Sequence, residues 1–376
     1  MDTSGHSSDS LDAEIKTKSA SVVFVPNGNV KLTHHPGGDG RSSQSNFAPD
    51  LVGVPGPLES YRRPVKDNKL TQKSSKSPIY GAIPYPLVRT AVEMKPPRED
   101  GRAQAISYAW YIFEACPHVV GMYVLSTRPQ YYQVIWADAA GAVSSPRYGW
   151  ENLIPLVSYV YSLYSPPKGH YLLDSTIEPR VSPGGDLIKA LLHKVGPEKP
   201  QLKWNVTVNS RVYEDCRLIV WSGGFGRRTT VFQTEPKNAT EPCLVIKDMY
   251  RDEARRFSEK QIIDLIHSDG IVPGVVRLVA HEEVKSSVHG GEATPIRTVG
   301  TVMHQGKLAH RVRTRLLLGS SGEPLSRAKS LGDLLKAIYD TVESESLITT
   351  IMASNHHSSS SCPGHGADDS SSRYQC

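Results

Sequence analysis

Apolar residues recur with two different periods in the first half of the chain, and each period predicts a type of element. Alternating or continuous apolar runs at 87–94 and 131–136 predict strands, whereas helical spacing at 102–115 and 150–164 predicts helices. The second helix carries a stripe of the kind that usually faces a core. That stripe consists of Trp150, Leu153, Ile154, Val157, Tyr161 and Tyr164. Residues 46–185 are therefore predicted to form a mixed α/β domain.

A second run of strand and helix patterns occupies residues 202–350. Predicted strands lie near 216–222, 229–234, 243–248, 275–280 and 312–318, and predicted helices lie near 252–267 and 331–343. The capping box Ser330-Leu-Gly-Asp333 opens the last helix. Residues 166–200 contain Pro166-Pro167, Pro183-Gly184-Gly185 and Pro197 with one short helical pattern near 186–194, and we place a linker at 186–201.

Both ends of the chain differ in composition from these units. Residues 1–45 and 351–376 are rich in serine, glycine and histidine, so they bury too little apolar surface to fold alone, and we expect them to be disordered. One apolar run, Val22-Val23-Phe24-Val25, interrupts the first of these segments. The histidines and cysteines of the tail match no zinc spacing.

The charge and the cysteine content of the chain reduce the number of functions that it is expected to have. The 376 residues carry a formal net charge of +5 with no dense basic stripe, so nucleic acid is not an expected partner. Five cysteines stand singly, without a CxxC pair, which gives no disulfide framework. Neither a signal peptide nor an apolar run long enough to span a membrane is present in the sequence. We therefore expect an intracellular protein, cytoplasmic or nuclear, without a membrane partner.

A glycine-rich turn between two predicted strands is a candidate phosphate-binding loop. Gly224, Gly226 and Thr229 lie in this turn, where backbone N–H groups approach a triphosphate without interference from Cβ atoms. Lys247 ends an apolar strand 21 residues after Gly226, and Glu259 follows 12 residues later on the apolar face of a helix. A carboxylate on that face needs a partner, and Lys247 is the natural one. Together these residues predict a nucleotide site.

The same residues carry a resemblance to the fungal-type protein kinase family. Gly226-Arg-Arg-Thr229 is similar to the glycine loop of that family, and Val245-Ile-Lys-Asp-Met-Tyr250 is similar to its lysine strand. His310-Arg-Val-Arg-Thr-Arg315 resembles the hinge strand, and Glu93-Met-Lys-Pro resembles an upstream section. The resemblance covers roughly residues 45–350. It implies a kinase N-lobe (a twisted antiparallel sheet plus a helix), ATP and Mg²⁺ as cofactors, and phosphoryl transfer to Ser or Thr of an unidentified protein substrate.

Two departures from that family change the expectation. Arg228 replaces the second loop glycine and adds bulk where the backbone would approach the phosphates, and no His-Arg-Asp or Asp-Phe-Gly element follows Met352. Without the residues that orient the acceptor and hold Mg²⁺, we expect the chain as given to be truncated and inactive in phosphoryl transfer. An N-lobe without its C-lobe leaves the apolar face of Leu334, Leu335 and Ile338 with too little to pack against, so we also expect a poorly soluble or dimeric product. The alternative is a non-catalytic pseudokinase or interaction scaffold.

The upstream domain holds a second constellation. Asp50 follows a proline, Glu93 and Lys95 end a strand, and Gln104 and Tyr108 lie one turn apart on the next helix. This order resembles the PD-(D/E)xK fold, in which two carboxylates hold Mg²⁺ beside a lysine. The predicted fold class is thus α+β, with a kinase-like N-lobe preceded by a PD-(D/E)xK-like α/β domain. A Mg²⁺-dependent nuclease and a plain surface pair of Glu93 with Lys95 both remain open.

Overall fold

In the computed structural model, the chain is described at residues 22–26, 32, 48–61, 83–182, 187–192, 201–236, 238, 241–272, 275–286, 292–299, 303–304, 307–308, 310–319, 329–332 and 335. The predicted tail 351–376 and most of the predicted helix 331–343, with Asp333 of its capping box, lie outside these residues. The chain divides into two compact units. The first comprises residues 1–256 and 279–319, and the second comprises residues 257–278 and 320–376.

The described residues form a mixed α/β structure, as the sequence predicts. Its helices are α1 (Arg102–Ala115), α2 (Ile154–Ser162), α3 (Leu187–Leu192) and α4 (Glu259–Ile266). Its strands are β1 (Val22–Pro26), β2 (Leu51–Pro55), β3 (Thr90–Met94), β4 (Met122–Thr127), β5 (Tyr131–Asp138), β6 (Gly141–Ser144), β7 (Tyr148–Gly149), β8 (Ile177–Ser182), β9 (Gln201–Val208), β10 (Arg211–Trp221), β11 (Thr230–Gln233), β12 (Val245–Asp252), β13 (Leu278–Glu283), β14 (Lys285–Ser286), β15 (Thr294–Pro295), β16 (Met303–His304), β17 (Lys307–Leu308) and β18 (Arg311–Leu318). None of the helices among these residues is long and apolar enough to cross a membrane.

The first large sheet has the order β1-β2-β3-β4-β5-β6, with β7 paired to β5. Strands β3 and β4 run parallel, and α1 connects them, whereas β2 runs antiparallel to β3. Side chains on one face of the sheet pack against α1, and those on the other face pack against α2. Because successive strand residues point to opposite faces, this double cover explains why β4 is buried at every position.

The second large sheet has the order β13-β18-β12-β11-β10-β9-β8. The pairings from β8 through β12 to β18 are antiparallel. Its core surrounds Trp204, which is 1% exposed, together with Phe232 and Ile246. In the second compact unit, Ser258 caps α4 in a capping box with Gln261, and Ile263 and Ile266 are buried.

Some of the predicted elements differ from those observed. Val22–Pro26, within the segment expected to be disordered, forms β1, because its apolar residues pair with β2 and bury Val25 completely. The strand predicted from residue 87 begins only at Thr90, since Tyr85–Leu87 is a 3-10 helix with a proline in its first turn. Strands β2, β4, β6, β7, β8, β9 and β14 to β17 were not predicted. The division of the chain into domains stays a prediction.

Candidate functional site

The glycine-rich turn lies between β10 and β11, as predicted, and its two ends bond to each other. The Ser222 N–H donates to the Thr229 carbonyl at 2.9 Å, and the Thr229 N–H donates to the Ser222 hydroxyl at 2.7 Å. Thr229 is half-buried, and these two hydrogen bonds with Ser222 close the turn.

The turn lies against helix α1 of the first sheet. Gly224 is buried, and a Cβ atom at this position would lie 2.4 Å from the carbonyl oxygen of Trp110. Gly226 has a φ of +86° and donates its N–H to the carbonyl of Ala139 at 2.7 Å. Gly224 is thus required for the close approach to α1, and Gly226 for a left-handed backbone.

Two side chains of the turn extend this contact. The Phe225 ring meets Trp110 edge-on, with ring centroids 5.1 Å apart. Arg228 is 4% exposed and donates to the carbonyls of Phe113 at 3.1 Å and Cys116 at 3.0 Å. Its guanidinium also lies 4.5 Å from the centroid of the Phe113 ring. These contacts bind the turn to the C-terminal half of α1.

The conformation of Arg228 explains how it replaces a loop glycine. Its φ is +42°, in the left-handed region that favours glycine, so the backbone there follows a glycine-like path. We expected the arginine to add bulk on the phosphate side of the turn. Its side chain instead points to the C-terminal end of helix α1, where burial lowers its pKa to about 10 and leaves it charged at neutral pH.

Lys247 and Asp248 are adjacent on β12 and therefore point to opposite faces of the second sheet. Lys247 pairs in register with Val231 and Leu316 and is half-buried. Glu259 is the first residue of α4 in the second compact unit. The predicted ion pair between Lys247 and Glu259 stays a prediction.

A buried network of charges surrounds Asp248. The Arg313 Nε lies 2.9 Å from Asp248 Oδ1, and the Arg315 Nη2 lies 2.6 Å from Asp248 Oδ2. The Arg315 Nη2 also lies 3.1 Å from Asp174 Oδ2. Burial alone would raise the pKa of Asp248, but the charges of Arg313 and Arg315 outweigh burial and hold that pKa below its usual value. The negative charges of two carboxylates are thus neutralised by the positive charges of two guanidinium groups inside the protein.

The network joins segments that are distant in sequence. Arg315 also donates to the Thr176 hydroxyl at 2.8 Å, and Arg313 donates to the Pro117 carbonyl at 2.8 Å. The sequence reasoning quoted Asp248 and the arginines only as family motifs and missed this network. The one available signal was the i, i+2 spacing of Arg313 and Arg315, which places both side chains on one face of a strand.

The residues of the upstream constellation lie close together where strand β3 ends, on one side of the first sheet. The Lys95 Nζ lies 2.7 Å from Glu93 Oε1, and the Tyr108 hydroxyl donates to Glu93 Oε2 at 2.6 Å. The Gln104 side-chain amide donates to the Tyr108 hydroxyl at 2.7 Å. Asp50 Oδ2 accepts the N–H of Met94, the residue between Glu93 and Lys95, at 2.7 Å. All five predicted residues therefore take part in one connected cluster.

Burial sets the electrostatics of this cluster. Glu93 is 2% exposed, whereas the Lys95 side chain is 21% exposed. The hydrogen bond to Glu93 raises the pKa of Lys95. Burial, followed by the hydrogen bond to Glu93, raises the pKa of Tyr108. The arrangement consists of a buried carboxylate held between a cation and a phenol, with a second carboxylate nearby. The plain surface-pair interpretation of Glu93 is therefore wrong, because this carboxylate is buried.

An open apolar groove of about 650 Å³ lies beside the cluster. Lys95 and Arg128 contribute charged groups to it, and Phe24, Trp150 and Tyr159 contribute aromatic rings. Within the described part of the chain, no group of three or more His, Cys, Asp or Glu residues is placed to hold a metal ion. A cation at this cluster would have Asp50 and Glu93 as its carboxylate ligands.

A comparison with known protein families finds a match for one part of the chain. Residues 205–351 match the family model described as fungal protein kinase. A search of curated proteins and a search of solved structures each found no match. The family match does not reach Glu93-Met-Lys-Pro, so the upstream part of the resemblance stays a prediction. The antiparallel second sheet is consistent with a kinase-like N-lobe. The resemblance predicted from the sequence is thereby confirmed over residues 205–351, which match the fungal protein kinase family model.

Proposed function

We propose that the kinase-family segment is a non-catalytic scaffold whose glycine-rich turn is fixed to helix α1. The family implies ATP, Mg²⁺ and phosphoryl transfer to a protein Ser or Thr, with a glycine loop over the phosphates and a strand lysine beneath them. The observation that carries the proposal is the contact of this loop with helix α1.

The contact uses the groups that a phosphate would need. Gly226 already donates its N–H to Ala139, and the N–H groups of Ser222 and Thr229 close the turn. A phosphate-binding loop needs several N–H groups directed at the ligand. The engagement of these three N–H groups within the protein, together with the close approach of Gly224 to helix α1, supports a loop that binds the helix in place of a triphosphate.

Titration of the full chain with Mg·ATP, followed by calorimetry, tests the proposal. We expect no saturable binding at roughly 1 mM ATP, a concentration that would reveal even a weak site. The substitution Lys247→Met should then change nothing, and neither should Lys203→Met, a control at another half-buried lysine, which pairs with the exposed Glu235. Saturable binding that Lys247→Met abolishes and Lys203→Met retains would overturn the proposal.

A second candidate function is Mg²⁺-dependent cleavage of a phosphodiester at the upstream cluster. It is favoured by the convergence of Asp50, Glu93 and Lys95 where strand β3 ends. Two carboxylates suit Mg²⁺, which keeps several of its waters and takes only one or two protein carboxylates. When bound, the ion would activate a water and stabilise charge on the phosphate. Lys95 would hold Glu93 in place and offer a cation to the substrate.

A cleavage assay on single-stranded and duplex DNA in the presence of Mg²⁺ tests this second function. Cleavage by the parent chain should disappear in Glu93→Gln and in Lys95→Ala. It should persist in Glu99→Gln, because Glu99 is an exposed residue 4.0 Å from the same lysine. A parent chain that cleaves neither substrate with Mg²⁺ or Mn²⁺ would eliminate this candidate and leave the scaffold proposal untouched.

A further inference from the structure

Helix α2 is apolar on two opposite sides. Its inner side packs Tyr159 and Leu163 into the core of the first sheet, where they are 3% and 8% exposed. Its outer side leaves Ile154 77% exposed and Val157 and Tyr161 each 65% exposed. The stripe that the sequence predicted to face the core is therefore largely this outer side. A helix that is apolar all round is normally covered on both sides, and a contiguous exposed patch of this kind marks an interaction surface.

The exposed apolar positions around α2 have a symmetrical arrangement. They are Trp150, Leu153, Ile154, Val157, Val160, Tyr161 and Tyr164, a set that we call the α2 patch. Reversing the order of these positions about Val157 reproduces the same set. A two-fold interface places one patch against an identical, reversed patch, so that residue i meets residue j and residue j meets residue i. The sequence positions of the α2 patch satisfy this requirement, because they are symmetric about Val157.

The charge pattern agrees with pairing between identical surfaces. No charged residue occurs between Glu151 and Lys168, so two copies of this segment meet without like-charge repulsion. The nearest cations, Lys95 and Arg128, belong to the groove that Trp150 and Val160 also line, and the helix itself carries none. The chemistry of the patch therefore fits an apolar, uncharged partner surface.

The area is sufficient for a specific but weak dimer. From their exposed fractions, the seven side chains present on the order of 600 Å² in each copy, or about 1,200 Å² in total, the lower limit for specific interfaces. We propose that a second copy of this chain covers the α2 patch, with the two helices antiparallel and Val157 on the two-fold axis. In this pairing, Leu153 meets Tyr161 of the second copy and Ile154 meets Val160.

Sedimentation equilibrium of the full chain at roughly 5 to 200 µM, a range that resolves micromolar affinity, tests the pairing. We expect a reversible monomer–dimer equilibrium. The single substitutions Val157→Lys and Val157→Glu should each weaken dimerisation at least about tenfold, because each places like charges on the axis. An equimolar mixture of the two variants should regain dimers, since Lys then meets Glu.

The control is Val279, which is 56% exposed on β13 and lies outside the α2 patch. Val279→Lys should dimerise as the parent does. Because Val157 is itself mostly exposed, circular dichroism should show both Val157 variants folded, with unchanged melting. A parent chain that stays monomeric throughout would overturn the proposal. Dimers that persist in both single variants, or a mixture that remains monomeric, would overturn it equally.

Discussion

The Nη2 atom of Arg315 lies 2.6 Å from Oδ2 of Asp248, and the two side chains are 0% and 2% exposed. Removing one partner of a buried ion pair leaves the other charge without compensation in a medium of low dielectric. Asp248→Asn is therefore expected to lower the free energy of unfolding by about 3–5 kcal/mol. Chemical denaturation measures this value.

The pair of Lys203 with the exposed Glu235 provides the comparison for Asp248. Its separation is also 2.6 Å, but Glu235 is 51% exposed, so Glu235→Gln is expected to cost less than ~1 kcal/mol. Equal losses in the two variants would show that the buried network does not stabilise the fold as described.

Arg227 and Arg228 are adjacent and chemically identical but have opposite environments. Arg228 is buried with two carbonyl acceptors and the Phe113 ring, whereas Arg227 is exposed. Arg228→Ala is expected to lower the free energy of unfolding by about 2–4 kcal/mol, and Arg227→Ala by less than ~0.5 kcal/mol. Thermal and chemical denaturation of both variants make the comparison.

A glycine at position 228 separates the backbone effect from the side-chain effect. Because the φ of Arg228 is +42°, Arg228→Gly should be about 1 kcal/mol less destabilising than Arg228→Ala. If glycine and alanine prove equally destabilising, the left-handed backbone at this position is not strained.

The helix whose predicted inward residues are the buried ones was the easiest to predict. Helix α1 was predicted at 102–115 and is observed at Arg102–Ala115, and Ala105, Ala109 and Ile112, which recur at helical spacing, are buried. Helix α2 has two stripes, and periodicity alone does not say which of them packs inward. The sequence therefore identified the helix, but its predicted stripe is the exposed side.

The site was predictable only where its residues share a local motif. Asp50, Glu93, Lys95, Gln104 and Tyr108 were predicted as a group and converge in the structure. The buried charge network gave no such signal, because Asp174 and Arg315 are 141 residues apart. Charges on alternate strand positions also usually indicate a solvent-exposed face, which is the opposite of what is observed.

The buried imidazole of His118 predicts a dependence of stability on pH. His118 is 3% exposed, and neither ring nitrogen has a hydrogen-bond partner among the described residues. Burial, followed by the charges of Arg89, Arg228 and Arg313, lowers the pKa of His118 well below its usual value. Its neutral form is therefore the folded form, whereas the unfolded chain takes up a proton near pH 6.5.

Because the unfolded state binds more protons below that pH, stability is full above pH 6.5 and falls as the pH decreases. The contribution of His118 is at most ~1.4 kcal/mol per pH unit. Denaturation of the parent and of His118→Phe between pH 5 and 8 should show a shallower slope in the variant below pH 6.5. Identical slopes would mean that His118 protonates equally in both states.

Glu93 and Lys95 are expected to be energetically coupled. Lys95→Met leaves the buried carboxylate with Tyr108 but without a cation, at an expected cost of about 1–3 kcal/mol. The double variant Glu93→Gln, Lys95→Met should lose less than the sum of the two single variants. A double-mutant cycle by denaturation gives the coupling directly, and strictly additive losses would contradict a buried pair.

Hydrogen exchange at the amide of Gly226 tests most directly whether the glycine-rich turn is bound to the upstream sheet. That amide donates to Ala139, so it should exchange slowly in the full chain, and Mg·ATP at roughly 1 mM should leave its rate unchanged. The amide of Arg227, the exposed residue that follows in the same turn, serves as the internal reference. Rapid exchange at Gly226 that slows only when Mg·ATP is added would contradict the account, because the turn would then be open to the nucleotide.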